Sequence, residues 1–534
     1  MRARIFAVVS LAVTTNFAIA QNETDVLRYS QTYMKGTARF TAMGGAFGAL
    51  GGDISSLMVN PAGVAVYRTS EFVFSTGIYN ANLHTEYRGE SAFDNRTSVN
   101  IGNAGGVLPV FNNGNGAIRN FNIGVAYNRV NDFGMDTYLT GFNAQNSITD
   151  YFAANANGIY QNYLTNSKPF DVIINDAPKG YEHLIGGGLP WESVLAWKTY
   201  LIDPDNSNAN DPDNYLYQSP LHEGDGVFQD QWQKIRGYND VINLSLGGNV
   251  YDLVFFGASL NITNISYHST KTYSEEAEAK NFNDPTLPRF NKMYYDEVYN
   301  ANGSGYSLSL GVILKPIQEL RIGVSYQSPT WTYIDEDYSG YMNSYFSNVA
   351  ANESFAEYET PISAFSYRVN SPQKLTGSVA GVIGKFAILS TDVEWVNYNG
   401  MRIKGDNYYR NFFNGINSTI ENVFRNTINL RVGGEFKLSN LALRAGYQYY
   451  QNPYKKDFIN ADHPTQVFSG GIGYRTRSFF ADFAYSLMTQ KNSYSLYDYL
   501  ETDASGNVVR DIYSGTATQD INKNAYILTI GFKF

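Results

Sequence analysis

The His and Cys content of this chain offers little for metal, haem or nucleophilic chemistry. The 534 residues include no Cys and five His, and no two of these His form a His-x-x-x-His pair. Metal and haem sites need ligands that converge on one point, and thiolate sites need Cys. The HExxH, Walker and GxSxG motifs are also absent. We therefore predict no metal, no cofactor and no enzymatic activity. The five scattered histidines are His84, His183, His222, His268 and His463.

An acidic, Asn-rich run at 203–214, DPDNSNANDPDN, is the one segment that suggests calcium. Carboxylate and amide oxygens are the ligands that calcium takes. The run lacks Gly at its sixth position and Glu at its twelfth, so it is not an EF-hand loop. We interpret it as a solvated surface loop, with calcium binding as the open alternative.

Ionised residues recur at alternate positions of otherwise apolar segments. Leu320, Ile322 and Val324, for example, alternate with Arg321 and other non-lipophilic residues. Alternation with a period of two indicates β-strands, and a charge facing lipid costs roughly 2–4 kcal/mol at mid-bilayer. The charges therefore belong on an inner face, where we expect a satisfied ion-pair network; an Arg that meets a ligand carboxylate is the alternative. The alternating charges are Arg321, Lys374, Asp392, Glu394, Arg431, Glu435, Arg444 and Asp482.

The same alternation can be counted along the chain and predicts an all-β fold, a transmembrane antiparallel β-barrel of about fourteen strands. Its connections alternate between short turns and long loops, as in outer-membrane barrels. The last segment ends on an aromatic residue, and Tyr526, Phe532 and Phe534 are predicted to close the barrel. The predicted strands are 71–80, 99–111, 119–129, 239–248, 252–267, 305–315, 319–334, 373–384, 386–397, 427–437, 439–450, 466–476, 478–488 and 524–534.

Composition and the N-terminus predict export to the outer membrane of a Gram-negative type of cell. Residues 1–20 combine Arg2 and Arg4, an apolar run and a small-residue end, which is typical of a cleaved signal peptide. Aromatic residues make up 15% of the chain and charged residues only 16%, which suits an outer-membrane barrel. The net charge of −10 argues against nucleic acid as a partner.

A glycine-rich segment at 39–63 precedes the first strand and is predicted to plug the barrel. It alternates Gly with large apolar residues, unlike a polar linker, and Asp53 is placed to cap one short helical turn before Asn60 and Pro61 end it. We divide the chain into the signal peptide, a hatch at 21–70 and the barrel at 71–534. The residues predicted to line the ligand path are Phe40, Met43, Phe47, Leu50, Met58, Asn60, Pro61 and Gly63.

The longest predicted connection, 130–238, is an extracellular loop with helical segments at 147–155 and 191–202. In the second segment Val194, Trp197 and Leu201 share one helical face. This face either captures a lipophilic ligand outside the cell or packs on the barrel rim or a neighbouring loop.

Several motifs together resemble the outer-membrane transporters of long-chain fatty acids and hydrocarbons, the FadL/TodX family. They are MGGAFGALGGDISSLMVNPAG at 43–63, GVLPVF at 106–111, NIGVAY at 122–127, LRIGVSYQS at 320–328, DVEW at 392–395 and LRAGY at 443–447. The resemblance implies a 14-stranded barrel plugged by an N-terminal hatch, and passive uptake of hydrophobic compounds such as long-chain fatty acids or aromatic hydrocarbons.

The resemblance also implies that ligand leaves sideways through a kinked third strand or through the lumen. Here the third strand, 119–129, has Gly124 but no Pro. The expected partners are hydrophobic small molecules, the outer membrane and its barrel-assembly machinery, and we expect a monomer. Two other functions are considered: a receptor for haem or another surface ligand, and an outer-membrane lipase, which would need Ser and His on adjacent strands.

Overall fold

The structure of the protein, a computed structural model, describes most of the chain. The described residues are 22–112, 116–166, 174–181, 184, 188–205, 215–221, 225–278, 289–349, 354–384, 386–406, 410–502 and 508–534. The predicted signal peptide, His183, His222 and most of the acidic run (206–214) lie outside them.

Short helices occur in the N-terminal segment and in the loops. None in the described part of the chain is long and apolar enough to cross a membrane. The α-helices are α1 (Glu23–Ser30), α2 (Ala38–Ala42), α3 (Ile148–Ala156), α4 (Gln161–Asn166), α5 (Trp191–Lys198) and α6 (Arg410–Val423), and the 3-10 helices are η1 (Ile54–Met58), η2 (Pro61–Val66) and η3 (Tyr398–Gly400).

Strands make up most of the rest. They are β1 (Glu71–Tyr87), β2 (Glu90–Asn112), β3 (Ile118–Asp132), β4 (Met135–Asn143), β5 (Asp203–Pro204), β6 (Tyr217–Gln218), β7 (Val227–Val250), β8 (Val254–Ala277), β9 (Arg289–Leu314), β10 (Leu320–Gln327), β11 (Trp331–Ser347), β12 (Phe355–Glu359), β13 (Ser363–Asn370), β14 (Lys374–Ile383), β15 (Ala387–Val396), β16 (Arg402–Lys404), β17 (Thr427–Leu438), β18 (Leu441–Tyr450), β19 (Thr465–Arg475), β20 (Phe479–Ser495), β21 (Asp498–Thr502), β22 (Val508–Tyr513) and β23 (Thr516–Lys533).

Nineteen of these strands form one closed antiparallel barrel, and the pairs β5–β6 and β21–β22 form two separate small sheets. The last strand, β23, pairs with β20 on one side and with β1 on the other, from Glu71↔Lys533 to Glu86↔Thr518. Closure leaves no edge with unpaired backbone groups, which lipid could not satisfy. Four positions around the barrel are built from consecutive pieces, namely β3 with β4, β10 with β11, β13 with β14, and β15 with the short β16. The prediction of a 14-stranded antiparallel barrel is confirmed.

Side chains alternate between an apolar outer face and a polar inner face. In β9, Leu308 and Leu310 are 53% and 59% exposed, whereas Ser307 and Ser309 are buried. Successive side chains of a strand point to opposite faces of the sheet. The apolar residues therefore face lipid and the Ser residues face the lumen.

The predicted strands were too short at their outer ends. Residues 81–98, predicted as a loop, continue β1 and β2 into a hairpin whose two turn residues, Arg88 and Gly89, have positive φ. Similarly, β7 begins at Val227, and β4 lies inside the predicted 130–238 loop. Beyond the lipid-facing band the regular alternation of apolar outside and polar inside ends, because residues such as Tyr273 and Tyr295 are buried on the inner side, whereas the backbone ladder continues.

The seventh and eighth barrel strands are each interrupted at a Pro. β10 gives way to β11 around Pro329, and β13 to β14 around Pro372. Pro has no N–H to donate to the ladder, so it ends regular pairing. The two breaks face each other, because Ser371 N donates to Thr330 O at 3.0 Å and Thr330 N donates to Ser371 Oγ at 2.9 Å.

Candidate functional site

The N-terminal segment descends through the lumen. α1 touches the upper barrel wall, where Asn239 Nδ2 donates to Tyr29 O at 3.3 Å, and further along the chain Met34 N donates to Tyr450 Oη at 2.9 Å. The chain then continues through α2, η1 and η2 to β1. Residues 36–50 are all buried.

Two pairs of glycines make sharp turns in this segment. Gly44, Gly45, Gly51 and Gly52 all have φ between 59° and 66°. Residues with a Cβ rarely adopt this left-handed backbone conformation. The predicted turn capped by Asp53 is present as η1, with Ser55 N donating to Asp53 Oδ1 at 3.0 Å. Asn60, however, does not end this turn but caps a second one, η2, because Asn suits the cap position and Pro61 the first helical position.

Glycines of the barrel wall make room for the hatch turn. A Cβ on Gly433 would lie 2.0 Å from Met43 O, and one on Gly446 would lie 2.1 Å from Gly44 N. Gly433 and Gly446 face each other across β17 and β18. Together they form a notch, the glycine notch, in which the Met43–Gly44 backbone sits directly against the sheet.

Charged side chains fix the same region. Arg39 Nε donates to Glu435 Oε2 at 2.9 Å, and Arg444 bridges Glu435 and Asp482, both at 2.7 Å. These groups are almost fully buried, so removal of one partner leaves an uncompensated charge, which is strongly destabilising.

A second group lies beside it, where Arg431 approaches Glu394 at 3.2 Å and Asp392 at 3.6 Å. Asp392 also accepts from Gly48 N at 3.1 Å, and Arg321 donates to Leu50 O at 2.6 Å. The eight predicted lumen charges therefore face inwards. Lys374 Nζ donates to Thr32 Oγ1 at 2.6 Å.

Asn60 is the central polar anchor among the predicted hatch residues. Its Nδ2 donates to Gly48 O at 2.7 Å and lies 3.3 Å from Val312 O, and its Oδ1 accepts from Ala62 N at 3.0 Å. Asn120 and Asn122 on β3, which sequence reasoning missed, donate to the η2 carbonyls at 2.7–3.0 Å.

The apolar hatch residues pack on one another. Phe40, Met43, Phe47 and Leu50 are buried in one cluster, and Met58 packs against it partly buried. Pro61 lies against Gly257 and Gly311 of the wall, and Gly63 against Gly51. These side chains fill the lumen in this conformation, so their role as a ligand path stays a prediction.

For Val194 and Leu201 the structure favours packing on the barrel rim, the second of the two predicted alternatives, and their role in ligand capture stays a prediction. Both are fully buried in a cluster with Phe152, Tyr295 and other residues of the barrel rim. Trp197 packs partly buried against this cluster, and its Nε1 donates to Thr165 Oγ1 at 3.2 Å. The apolar face of α5 serves packing on the rim, because the helix ends at Lys198 and Leu201 folds back into the same core.

The residues predicted for barrel closure lie on the closing strand. Tyr526 and Phe532 are about half exposed on the outer face, where they pack against Tyr485 and Phe479. Phe534 is 81% exposed, and its N–H donates to Ser70 O at 3.0 Å. Their part in assembly stays a prediction.

One seam of the barrel lacks a backbone ladder over its outer half. β2 pairs with β3 only from Asn103↔Asn128 to Asn112↔Asn120. In the described structure, residues 90–102 of β2 pair with β1 alone, while β4 pairs with β7. We call the boundary between 94–102 and 129–138 the lateral seam.

Side chains close the lateral seam instead. Tyr138 N donates to Asp94 Oδ2 at 2.7 Å, and Asn100 Nδ2 donates to Asp132 Oδ2 at 2.7 Å. Between these bonds, Arg96 lies 4.0 Å from Asp136. The lower end of the seam is level with the apolar outer face of β1, because exposed Ile78 lies opposite Val99. The resemblance implied a sideways exit at the third strand, 119–129; Gly124 itself pairs with Val107, and the unpaired edge begins beyond Asn128.

Two cavities lie along the lumen. The upper one, about 490 Å³, lies between α1 and the outer loops. Seven Tyr and several charged groups line it, including the ion pairs Arg28–Asp25 and Lys271–Glu297. Burial raises the pKa of Glu192, which also lines this chamber.

The lower cavity, about 30 Å³, lies directly behind the lateral seam. Arg96, Ser98 and Asp132 of the seam line it together with Lys35 of the hatch and Lys523 of β23. Burial, together with repulsion by Lys523, lowers the pKa of Lys35 to about 8.

The described histidines do not converge. His84 stacks on Phe93, with ring centroids 4.3 Å apart, and His268 hydrogen-bonds to Asn300. His463 lies in a separate outer loop. Among the described residues, no group of three or more His, Cys, Asp or Glu is arranged to hold a metal ion.

Known proteins share this architecture. The crystal structure of a Pseudomonas aeruginosa FadL homologue is 14% identical, with a TM-score of 0.52 over 94% of this chain and 100% of that chain. The structures of the toluene transporters TodX of P. putida (11% identical, TM-score 0.48) and TbuX of Ralstonia pickettii (13%, 0.46) each cover 94% of this chain and 99% of their own. No curated protein matches the chain.

The first of these likenesses supports the fold. The family assignment comes from sequence, because residues 229–534, more than half of the chain, match the family described as "Outer membrane protein transport protein (OMPP1/FadL/TodX)". The chain therefore belongs to the OMPP1/FadL/TodX family of outer membrane transport proteins.

Proposed function

We propose that this protein carries hydrophobic compounds passively from the cell exterior into the outer membrane, and that they leave the barrel through the lateral seam. The observation that carries the proposal is the missing ladder between β2 and the β3–β4 strand. Around most of the remaining wall, leaving sideways would require breaking consecutive backbone hydrogen bonds. At the seam only a few side-chain contacts have to part.

The contacts across the lateral seam are weaker than the ion pairs that block the lumen, and this difference supports exit at the side. An exposed ion pair such as Arg96–Asp136 contributes about 0–1 kcal/mol, and each remaining hydrogen bond about 0.5–1.5 kcal/mol. The path straight through the lumen is blocked by buried ion pairs of Arg39 and Arg444 that each cost several kcal/mol to break. A solute that reaches the lower cavity therefore meets less resistance at its side than below it.

The height of the lateral seam on the barrel, beside the apolar outer face, supports delivery of the solute to lipid. Its lower end lies beside Val99 and Ile101, both exposed on the apolar outer face. A hydrophobic solute that passes there moves from the cavity directly into the bilayer without crossing water. Transfer of apolar surface between two apolar environments needs no energy source. The upper chamber is the proposed entrance.

Uptake by lipid vesicles that contain the purified full-length protein tests the proposal. We expect faster entry of laurate and toluene than into protein-free vesicles, and no added permeability to glucose or potassium ions. Equal entry of polar and hydrophobic solutes would instead show an ordinary water-filled pore and refute the proposal.

A further inference from the structure

A group of aromatic side chains lies on the outer face of the barrel wall, beside the outer end of the lateral seam. Trp232 of β7 stacks on Tyr138 of β4, with ring centroids 4.0 Å apart, and Phe228 packs on Phe142 in the same way at 4.9 Å. A fifth ring, Phe93, lies on the other side of the seam. We call this group the outer aromatic patch: Phe93, Tyr138, Phe142, Phe228 and Trp232.

The outer aromatic patch spans the lateral seam. Phe93 belongs to β2, where its ring stacks on His84 with centroids 4.3 Å apart. Its neighbour Asp94 accepts from Tyr138 N at 2.7 Å across the seam. Phe93 and Tyr138 therefore stand at the same level on the two sides of the seam.

The patch lies above the apolar band that faces lipid. Phe93 lies six residues from exposed Val99 along β2, and Trp232 lies ten residues from exposed Ile242 along β7. Both separations are even, so these residues share the outer face of their strands. At about 3.3 Å per residue and a strand tilt of about 40°, the rings lie roughly 15–25 Å above the apolar band. At this height the wall faces the headgroup layer of the membrane and not the acyl chains.

Aromatic rings in this position are exposed to an unusual degree. Phe93, Phe228 and Trp232 are 78%, 52% and 53% exposed. A contiguous apolar surface outside the lipid band usually marks an interaction site. The rings are also fixed in place, because Tyr138 Oη donates to Asp230 Oδ1 at 2.7 Å between the two stacked pairs.

Two polar groups of the patch region are left for a ligand. Among the described residues, the indole N–H of Trp232 has no hydrogen-bond partner. Lys234 is exposed on the same face of β7, two residues nearer to the membrane, and forms no ion pair in the described part of the chain. The surface thus offers flat rings, a free N–H donor and a positive charge on its membrane side.

Phosphorylated sugars match this combination of groups. The C–H face of a sugar ring is apolar and stacks on an aromatic ring, whereas the hydroxyls at its edge need hydrogen-bond partners. A phosphate close to the lipid anchor suits Lys234, because charge-assisted hydrogen bonds are the strong ones. The outer leaflet of a Gram-negative type of outer membrane presents such sugars at this height, on lipopolysaccharide.

We propose that the outer aromatic patch binds the core oligosaccharide of lipopolysaccharide in the outer leaflet. Phe93, Tyr138 and Trp232 stack on the sugar rings, the Trp232 N–H donates to a sugar hydroxyl, and Lys234 contacts phosphate. The patch lies outside the barrel, so the proposal does not depend on the transport proposed above. An oligosaccharide bound on both sides of the seam covers the outer end of the seam.

Binding of two forms of lipopolysaccharide to the purified full-length protein in neutral detergent tests the proposal. One form has a complete core oligosaccharide, and the other is truncated to lipid A with its innermost acidic sugars. We expect the wild type to bind the complete form about tenfold or more tightly than the truncated form. This comparison needs no variant.

The variant Phe93→Leu/Trp232→Leu removes two rings but keeps apolar side chains on the strands. We expect it to lose about tenfold in affinity for the complete form, which corresponds to about 1.4 kcal/mol, and to keep its affinity for the truncated form. Trp331→Leu is the matched control, because Trp331 is 38% exposed at the edge of the apolar band, where it packs on Tyr306 at 5.4 Å. Lys234→Gln should weaken binding of both forms, since both carry phosphate.

Equal affinity of the wild type for the two forms would overturn the proposal. So would an unchanged preference for the complete form in Phe93→Leu/Trp232→Leu, with the variant shown to be a folded barrel by its heat-modifiable gel mobility. A wild type that is dimeric in detergent, and a double variant that is monomeric, would also overturn it, because the patch would then join two copies of this chain.

Discussion

A single methyl group on each side of the glycine notch should lift the hatch from the wall without harm to the barrel. In Gly433→Ala/Gly446→Ala, the new Cβ atoms would lie 2.0 Å from Met43 O and 2.1 Å from Gly44 N, whereas ordinary contacts begin at 3.4 Å. The turn must therefore move by about 1.4 Å (3.4 − 2.0). The strands themselves tolerate Ala at least as well as Gly.

The expected magnitude follows from overpacking, which costs about 1–3 kcal/mol per site. Both clashes act on one turn and are not additive, so we expect about 2–4 kcal/mol in total. Because 1.4 kcal/mol is a factor of ten, the open population of the hatch should rise roughly 30- to 1000-fold. Hydrogen exchange of 40–52, followed by mass spectrometry, measures this population directly.

A neighbouring glycine of the same strand provides the control. A Cβ on Gly434 would meet only Ile388 O, at 3.7 Å. Gly434→Ala should therefore exchange like the wild type, and all variants should keep the heat-modifiable gel mobility of a folded barrel. Wild-type exchange in the Gly433→Ala/Gly446→Ala protein would refute the seating of the hatch turn in the notch.

Two further predictions concern the Asn60 anchor and the closing strand. Asn60→Ala with Pro61→Ala removes the amide that binds Gly48 O at 2.7 Å, so the hatch should loosen by about 1–3 kcal/mol and uptake should change while barrel assembly does not; unchanged uptake counts against the anchor. Deletion of Phe534 should slow assembly, followed by gel mobility, and an unaffected rate would contradict its role in closure.

The transmembrane part of the fold could be predicted from sequence because lipid and lumen impose opposite demands on neighbouring residues. Leu308 and Leu310 face lipid and alternate with Ser307 and Ser309, which face the lumen. Above the lipid the demands disappear, and the tall outer wall built by β7, β8 and β9 was therefore predicted as loops. Its inner side carries buried aromatic residues such as Tyr273 and Tyr295, so the alternation of polar inside and apolar outside that identifies a membrane strand is lost there.

The structure is consistent with the predicted hatch, but the sequence explained the role of its glycines only in part. The glycines of 39–63 suggested a mobile plug, whereas Gly44, Gly45, Gly51 and Gly52 serve sharp turns with positive φ. The complementary signal lay in the strands: Gly433 and Gly446 are small residues inside otherwise well-formed strands, which often marks a close approach of another backbone. Which glycines meet which turn depends on the strand register, and composition does not reveal it.

The family resemblance implied a sideways exit at the third strand, but the position of the lateral seam and the presence of the lower cavity could not be predicted from the residues themselves. On the outer side of Asn103, β2 forms no backbone hydrogen bonds across the seam. No residue type in the sequence signals such a missing pairing. The cavity brings together Lys35, Arg96 and Lys523 from distant parts of the chain. Val194 and Leu201 show the converse difficulty, since an apolar helix face has the same pattern whether it binds a ligand or packs on a rim.

Reversible bridging of the lateral seam tests the central claim most directly, and the absence of Cys from the chain makes it practical. In Arg96→Cys/Asp136→Cys, a short bifunctional thiol reagent joins the two sides of the seam; in the control Asn80→Cys/Thr97→Cys, it joins β1 and β2, which are already paired at these residues. We predict that bridging 96 to 136 stops vesicle uptake of laurate and toluene, that reduction restores it, and that the control bridge has no effect. Full uptake with the seam bridged would contradict lateral exit.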